Sequence, residues 1–225
     1  DVAIVGGSEA MLTPGIIAGW HAMRVLAPVA DDAARACKPF DAQRNGFCLG
    51  EGAAAFILES ESHARRRGAQ TLGQLSGYGI STDAVHITNP DPAGQCRAMR
   101  MALADAKLHP KDIHYINAHG TATLNGDRAE AASINQVFGD QAVSVSSTKA
   151  LHGHVLGAGG ALEALITLQS LRRGRLPVAA HLDQADPECR LQFVKPGFEP
   201  AQAPRHAMSN SFAFGGTNAV LVLSI

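Results

Sequence analysis

"IHYINAHGTATLNGDRAEAASINQVFG" (Ile113–Gly139) and "VSVSSTKALHGHVLGAGGALEALITLQSLRRG" (Val143–Gly174) decide the fold. Each begins with a short run of strand character, Ile113–Ala118 and Val143–Ser147. Each continues through a polar, glycine-containing turn into a run with helical spacing, Gly126–Gly139 and Gly157–Gly174. Strand, turn and helix repeated in tandem predict an α/β domain whose helices cover a mixed sheet.

Working outward, Val2–Val5 reads as a short strand ended by Gly6-Gly7, and Thr13-Pro14 opens a helix through Arg24, with proline at a tolerated first-turn position. "KPFDAQRNG" (Lys38–Gly46) reads as a loop, and the small-residue run from Gly50 leads into a buried strand ending near Leu58. Ser60–Arg67 predicts a short helix closed by Gly68. "TLGQLSGYGIS" (Thr71–Ser81) is strand-like and "NPDPAGQ" (Asn89–Gln95) a loop. Cys96, Met99, Leu103 and Ala106 give Ala93–Lys107 helical spacing. Leu191–Val194 reads as a strand, and His206–Ile225 as two strands joined at Gly215-Gly216. A weak boundary falls between Gly68 and Thr71.

With 225 residues, 46% hydrophobic and 17% charged, the chain has ample material for a core. A formal net charge of −1 makes no global case for a nucleic-acid partner. The clusters Arg65-Arg66-Arg67 and Arg172-Arg173-Gly174-Arg175 read as solvated helix ends favoured by the helix dipole. Cys37, Cys48, Cys96 and Cys189 are scattered without metal spacing, which fits reduced thiols in a cytoplasmic compartment. No apolar run approaches the ~20 residues of a membrane span. Opening without Met on "DVAIVGGSEA", the sequence reads as a piece of a longer protein.

Three polar loops follow successive strands: His119 in "INAHGTAT", Lys149 and His154 in "SSTKALHGH", and the glycine-rich turn of "SNSFAFGGTN". Ligands of α/β sheets bind where strand ends converge, so the three loops predict one site. His152-Gly153-His154 with His119 could hold zinc, yet no Cys, Asp or Glu lies close in sequence to complete a tetrahedral set. Two imidazoles beside a lysine, without a Gly-x-Ser-x-Gly nucleophile motif, better suit neutral N–H donors that stabilise charge developing on a carbonyl oxygen. Lys149 would supply compensating charge, with Glu130 and Glu163, each read near a helix start, as its partners.

"NAHGTAT", "SSTKALHGHVLGAGGALEA" and "SNSFAFGGTN", in this order and spacing, resemble the elongating β-ketoacyl-acyl-carrier-protein synthases of the thiolase superfamily. "DVAIVGGSEA" and "KPFDAQRNGFCLGEGAAAFILE" resemble the segments after that family's nucleophile. The resemblance implies a thiolase-like αβαβα layered fold, with residues 1–68 ending the first half and 69–225 forming the second. It implies a decarboxylating Claisen condensation of malonyl and acyl thioesters in fatty-acid or related polyketide synthesis. His119 and His154 would bind the malonyl thioester carbonyl, and Lys149 would be supported by Glu130 and Glu163. Thr121 and Thr123 would line the phosphopantetheine arm. The Phe214 N–H would form half of an oxyanion hole, its ring acting as a gate. No catalytic metal or dissociable cofactor is implied, because substrates ride on the phosphopantetheine of an acyl carrier protein; Asn117 could join the glutamates around a structural cation. A natural polypeptide near twice this length is expected, as a homodimer or a ketosynthase-like heterodimer.

Several positions depart from the family pattern. None of the four cysteines matches the nucleophile, which would lie upstream of Asp1. Ala213 stands where the gate usually has Gly, narrowing the backbone's options. His152 replaces a residue commonly Thr or Ser and reads as a turn or pocket-rim group. The competing expectation is a non-catalytic partner subunit akin to chain-length factors, against which the retained His119, Lys149 and His154 weigh. A thiolase running the reverse cleavage is disfavoured, since "SNSFAFGG" lacks that branch's second Cys.

Overall fold

The computed structural model describes residues 1–28, 32–139 and 143–225. In chain order the elements are β1 (Val2–Glu9), α1 (Pro14–Ala22), β2 (Gly52–Glu59), α2 (Glu61–Arg66), β3 (Gln74–Thr82), α3 (Pro92–Ala106), β4 (Tyr115–Asn117) and α4 (Leu124–Phe138). They continue with β5 (Ser144–Ser146), α5 (Lys149–His152), α6 (Gly159–Arg173), β6 (Gln192–Phe193), β7 (His206–Ala213) and β8 (Thr217–Ser224). β1 and β2 pair antiparallel along their whole length, Val2 opposite Glu59 and Glu9 opposite Gly52. The other strands form one mixed sheet in the order β3-β8-β7-β4-β5-β6. Its β7-β4-β5-β6 part is parallel, and β3, β8 and β7 are antiparallel neighbours.

Period-two alternation sends successive side chains of these strands to opposite faces, and helices cover both. Ile116, Met208, Val220 and Val222 point to the face covered by α3 and α4, packing with Met99, Leu103, Ile134 and Phe138. Tyr115, Ala207 and Leu223 point to the opposite face, where Leu168 and Leu171 of α6 meet them. Phe56 of β2 packs on that second cluster, so the β1–β2 ribbon lies beyond α6. The result is a helix pair, a six-stranded sheet, a helix and a second sheet, which are successive layers of the expected stack.

Two expectations need correcting. Gly6 and Gly7 do not end the first strand, which runs to Glu9. A Cβ on Gly7 would lie 2.6 Å from the Gly157 carbonyl oxygen, so this glycine permits close approach to the turn after His154. The second strand is not buried but alternates between half-buried and exposed residues through most of its length, with Ile57 63% exposed. Only one side of the ribbon packs on α6. Between α3 and β3 the spacing is tighter still, since a Cβ on Gly79 would sit 2.0 Å from the Ala98 carbonyl oxygen. Gly79→Ala is therefore expected to destabilise the protein by about 1–3 kcal/mol, measured by urea unfolding.

Candidate active site

The turn after β4 carries His119. Ala118 N–H donates to the Ser146 carbonyl, continuing the β4–β5 ladder by one residue before the chain leaves the sheet. Glu130 then takes over: its carboxylate accepts the backbone N–H groups of His119 (2.9 Å) and Gly120 (2.7 Å) and the side-chain amide of Asn210 (3.0 Å). Asp127 does the same one step further on, accepting Ala122 N–H (3.1 Å), where φ is +64°, and Phe40 N–H (2.6 Å). The guanidinium of Arg44, wholly buried, joins Asp127 (3.2 Å) to Asp186 (2.7 Å) and donates to the Leu124 carbonyl (2.9 Å). A buried charge needs such partners, and here they tie the Lys38–Gly46 segment to the loop bearing His119.

The turn after β5 carries Lys149 and His154. Lys149 Nζ pairs with Glu163 of α6, both side chains only 1% exposed. Glu163 is thus the carboxylate partner of Lys149. Glu130 lies in the middle of α4 and spends its oxygens on N–H groups, while the Lys149 charge still acts on its carboxyl. Both are buried, so neither is a surface residue at a helix start. Residues 48–50 pair with His154 as a strand would: its N–H donates to the Cys48 carbonyl (2.7 Å) and its carbonyl accepts Gly50 N–H (3.1 Å).

These turns bring the two imidazoles together. The rings of His119 and His154 lie 5.4 Å apart, edge to face. Phe47 meets the His154 ring at 5.1 Å and Phe212 flanks His119 at 6.1 Å. His154 Nδ1 accepts the Leu156 N–H at 3.3 Å, which places its proton on Nε2 as a free donor. Burial, reinforced by the nearby Lys149 cation, holds His119 well below the ordinary imidazole pKa and His154 down to about 3. Burial pushes the Glu163 carboxyl up while Lys149 pulls it back; burial likewise raises Glu130. At neutral pH the site therefore offers two neutral N–H donors backed by a buried ion pair.

The sign of the resulting pH dependence is fixed. Between about pH 6.5 and about pH 3 the unfolded chain binds a proton at residue 154 that the folded chain refuses, so stability falls as pH drops through this window. The slope is roughly 1.4 kcal/mol per pH unit for that one group. Urea midpoints compared at about pH 7 and about pH 5 are expected to converge in His154→Gln relative to the unsubstituted chain.

Both imidazoles open onto a cleft of about 900 Å³ that also touches Lys149, Thr121 and Thr123. Trp20 of α1 and Phe214 line its wall with their rings 6.1 Å apart. Phe214 is 44% exposed, in the turn joining β7 to β8. Ala213 sits at φ −117°, ψ 162°, extended backbone that any residue adopts, so its Cβ imposes no restriction in this conformation. Thr121 and Thr123 hydroxyls lie 3.0 Å apart. Asn117 is fully buried, and its amide donates to the Glu163 carbonyl and Thr167 and accepts from Thr148. Among the described residues no cluster of three or more His, Cys, Asp or Glu is placed to hold a metal. His152 does not line the cleft. Burial raises all four thiols, Cys37 and Cys189 to about 12, the reverse of what a thiolate nucleophile needs.

Arg44, Asp127, Phe47 and Trp20 were not singled out by sequence patterns. Arg44 lay in a stretch read as loop, and only its place between two well-separated carboxylates reveals its task. The lone Trp20 on an otherwise exposed helix was the available signal.

With this geometry in hand, comparison with known proteins defines the class. Residues 1–64 match the family described as "Beta-ketoacyl synthase, N-terminal domain", and residues 72–183 match "Beta-ketoacyl synthase, C-terminal domain". The chain belongs to the β-ketoacyl synthase family, with its thiolase-like fold. It is 48% identical over 223 residues to Nodulation protein E of Rhizobium leguminosarum bv. trifolii, covering 98% of this chain and 54% of that protein. It is 45% identical over 226 residues to 3-oxoacyl-[acyl-carrier-protein] synthase 2 of Staphylococcus aureus, covering 99% and 56% respectively. A solved type II polyketide acyl-carrier protein in complex with its ketosynthase, bound to the hexaketide, contains a chain that superposes with a TM-score of 0.93 at 31% identity. That match covers 100% of this chain and 56% of the solved one. The chain thus spans about half the length of the curated relatives it matches. Among the described residues no helix is long and apolar enough to cross a membrane.

Proposed function

We propose that these residues form the decarboxylating part of a β-ketoacyl synthase site acting on malonyl and acyl thioesters carried by an acyl carrier protein. The observation that carries the reading is the pair of neutral imidazoles, 5.4 Å apart, facing a deep cleft beside the buried Lys149–Glu163 pair. Nε2–H of His154 and the His119 ring bind the malonyl thioester carbonyl oxygen. Loss of carbon dioxide leaves the electron pair on the α-carbon as an enolate, whose oxygen these donors stabilise. Protonated imidazoles would donate that proton to the enolate and quench it, which is why their low pKa values suit the task. The enolate carbon attacks the carbonyl of an acyl thioester held on a cysteine, and the thiolate departs as the β-ketoacyl chain forms. That cysteine is supplied by a segment outside these 225 residues, consistent with the raised pKa of every thiol in the chain.

Thr121 and Thr123 border the cleft where a phosphopantetheine arm would pass, and the Phe214 N–H serves the acyl carbonyl. The match to a ketosynthase solved with its acyl-carrier protein supports the carrier as partner. The working form is a cytoplasmic homodimer or ketosynthase-like heterodimer, with residues 1–68 closing one half of the fold and 69–225 forming the next. The test is condensation by the full-length protein against carrier-bound acyl primers of graded length. Product one two-carbon unit longer supports the reading. Failure together with Gln, Ala or Gly in place of the upstream cysteine points instead to a chain-length-factor-like partner subunit.

A further inference from the structure

His152 is the one imidazole of the "KALHGH" run that the proposed reaction leaves unused. It stays out of the cleft, and its Nδ1 is buried without a hydrogen-bond partner. Its Nε2 lies 3.0 Å from the Thr148 hydroxyl, four residues back across the one-turn helix α5.

The proton order along this contact can be worked out from its far end. Thr167 donates its hydroxyl proton to the Glu163 carbonyl (2.7 Å), so the Thr167 oxygen is free to accept. Asn117 must therefore present its amide nitrogen to Thr167 (3.2 Å) and to the Glu163 carbonyl (3.3 Å), which leaves its oxygen as an acceptor. Thr148 donates to that oxygen (3.4 Å), so the Thr148 oxygen in turn accepts from His152 Nε2–H. One tautomer satisfies the chain: a proton on Nε2 and a bare Nδ1.

The segment is held at its start by the Lys149–Glu163 pair and at its end by the clamp of residues 48–50 on His154, and the His152–Thr148 contact closes the turn between them. α5 has four residues, and its backbone bonds include Leu151 N–H to the Thr148 carbonyl and Gly153 N–H to the Lys149 carbonyl, both 2.9 Å. Thr148 makes no side-chain cap to the helix. Yet the helix starts with Lys149 and is followed two residues after its end by His154. A helix this short does not fix side chains by propensity alone.

We propose that His152 is a positioning residue. Its ring staples the last residue of α5 to Thr148, and through Thr148 and Asn117 fastens Lys149 and His154 to the α6 framework that holds Glu163. The proposal rests on the reaction proposed above for its kinetic readout, but its structural readout is independent.

The test uses the full-length protein with malonyl-loaded acyl carrier protein. His152→Leu, which keeps bulk and loses the donor, is expected to lower kcat for decarboxylation roughly 5- to 10-fold with KM unchanged. His152→Gln, whose amide nitrogen can reach the Nε2 position, is expected to restore kcat to within about twofold of the unsubstituted enzyme. Thr148→Val should match His152→Leu, and the double variant should be no worse than either single one. Unchanged kcat in His152→Leu, an effect confined to KM, or a Gln variant as slow as Leu would each overturn the proposal. If the unsubstituted protein does not decarboxylate at all, the reaction assignment falls while the staple is judged by imidazole 15N spectra of that same protein. Those spectra are expected to place the His152 proton on Nε2; a ring protonated on Nδ1 would overturn the staple whatever the activity.

Discussion

His119→Ala in the full-length protein is expected to cut malonyl-thioester decarboxylation by roughly 10²–10³-fold while leaving transfer of acyl groups to the nucleophilic thiol largely intact. In the proposed reaction the imidazole would touch the oxygen on which charge develops, so its loss would be felt in the decarboxylation transition state and not in the acylation step. Its surroundings make the substitution a clean one. Glu130, itself held by the Asn210 amide, accepts the backbone N–H groups of residues 119 and 120 and not the ring, so the loop keeps its hydrogen bonds when the ring is removed. A decarboxylation rate within a few-fold of the unsubstituted enzyme would remove His119 from the donor role. Separate measurement of carbon dioxide release and acyl-thioester formation distinguishes the two steps.

The second large effect concerns stability. Glu163→Leu is expected to destabilise the protein by about 3–5 kcal/mol, because it leaves the Lys149 ammonium buried and unpaired. Lys149→Met combined with Glu163→Leu is expected to recover most of that loss, since two apolar side chains of similar volume need no partner. Activity should not return with stability, because the cation beside the imidazoles is gone. Urea unfolding of the two variants, set beside their decarboxylation rates, separates the contribution of the pair to folding from its contribution to chemistry. A double variant as unstable as the single one would mean that the pair does more for the fold than neutralise itself.

Much of this was legible from local pattern. The tandem strand–turn–helix units of residues 113–174 declared the parallel part of the sheet, and the glycine turn at 215–216 declared the terminal hairpin. Strand ends were less legible: Ile113–Ala118 supplies three strand residues, because ladder pairing rather than apolar character sets the length. Gly6 and Gly7 read as punctuation, yet lie inside β1 because another backbone passes close to them. His119, Lys149 and His154 could be found because each follows a strand at the same sheet edge. The division of labour between Glu130 and Glu163 could not. It depends on which carboxylate α4 and α6 aim at N–H groups and which at an ammonium, a matter of helix phase and packing. Arg44 was invisible for a similar reason: its partners, Asp127 and Asp186, are 83 and 142 residues further along the chain.

The strand-like clamp of residues 48–50 on His154 bears on how chains of this family can be recombined. A crossover at Gly68 falls between recognisable segments and looks like a natural place to join two parents. The resulting chimera would take the carbonyl of residue 48 from one parent and the backbone N–H of residue 154 that it holds from the other. Loop 46–50 and turn 152–157 therefore form one unit of inheritance, and hybrids that keep them from the same parent should retain the donor geometry.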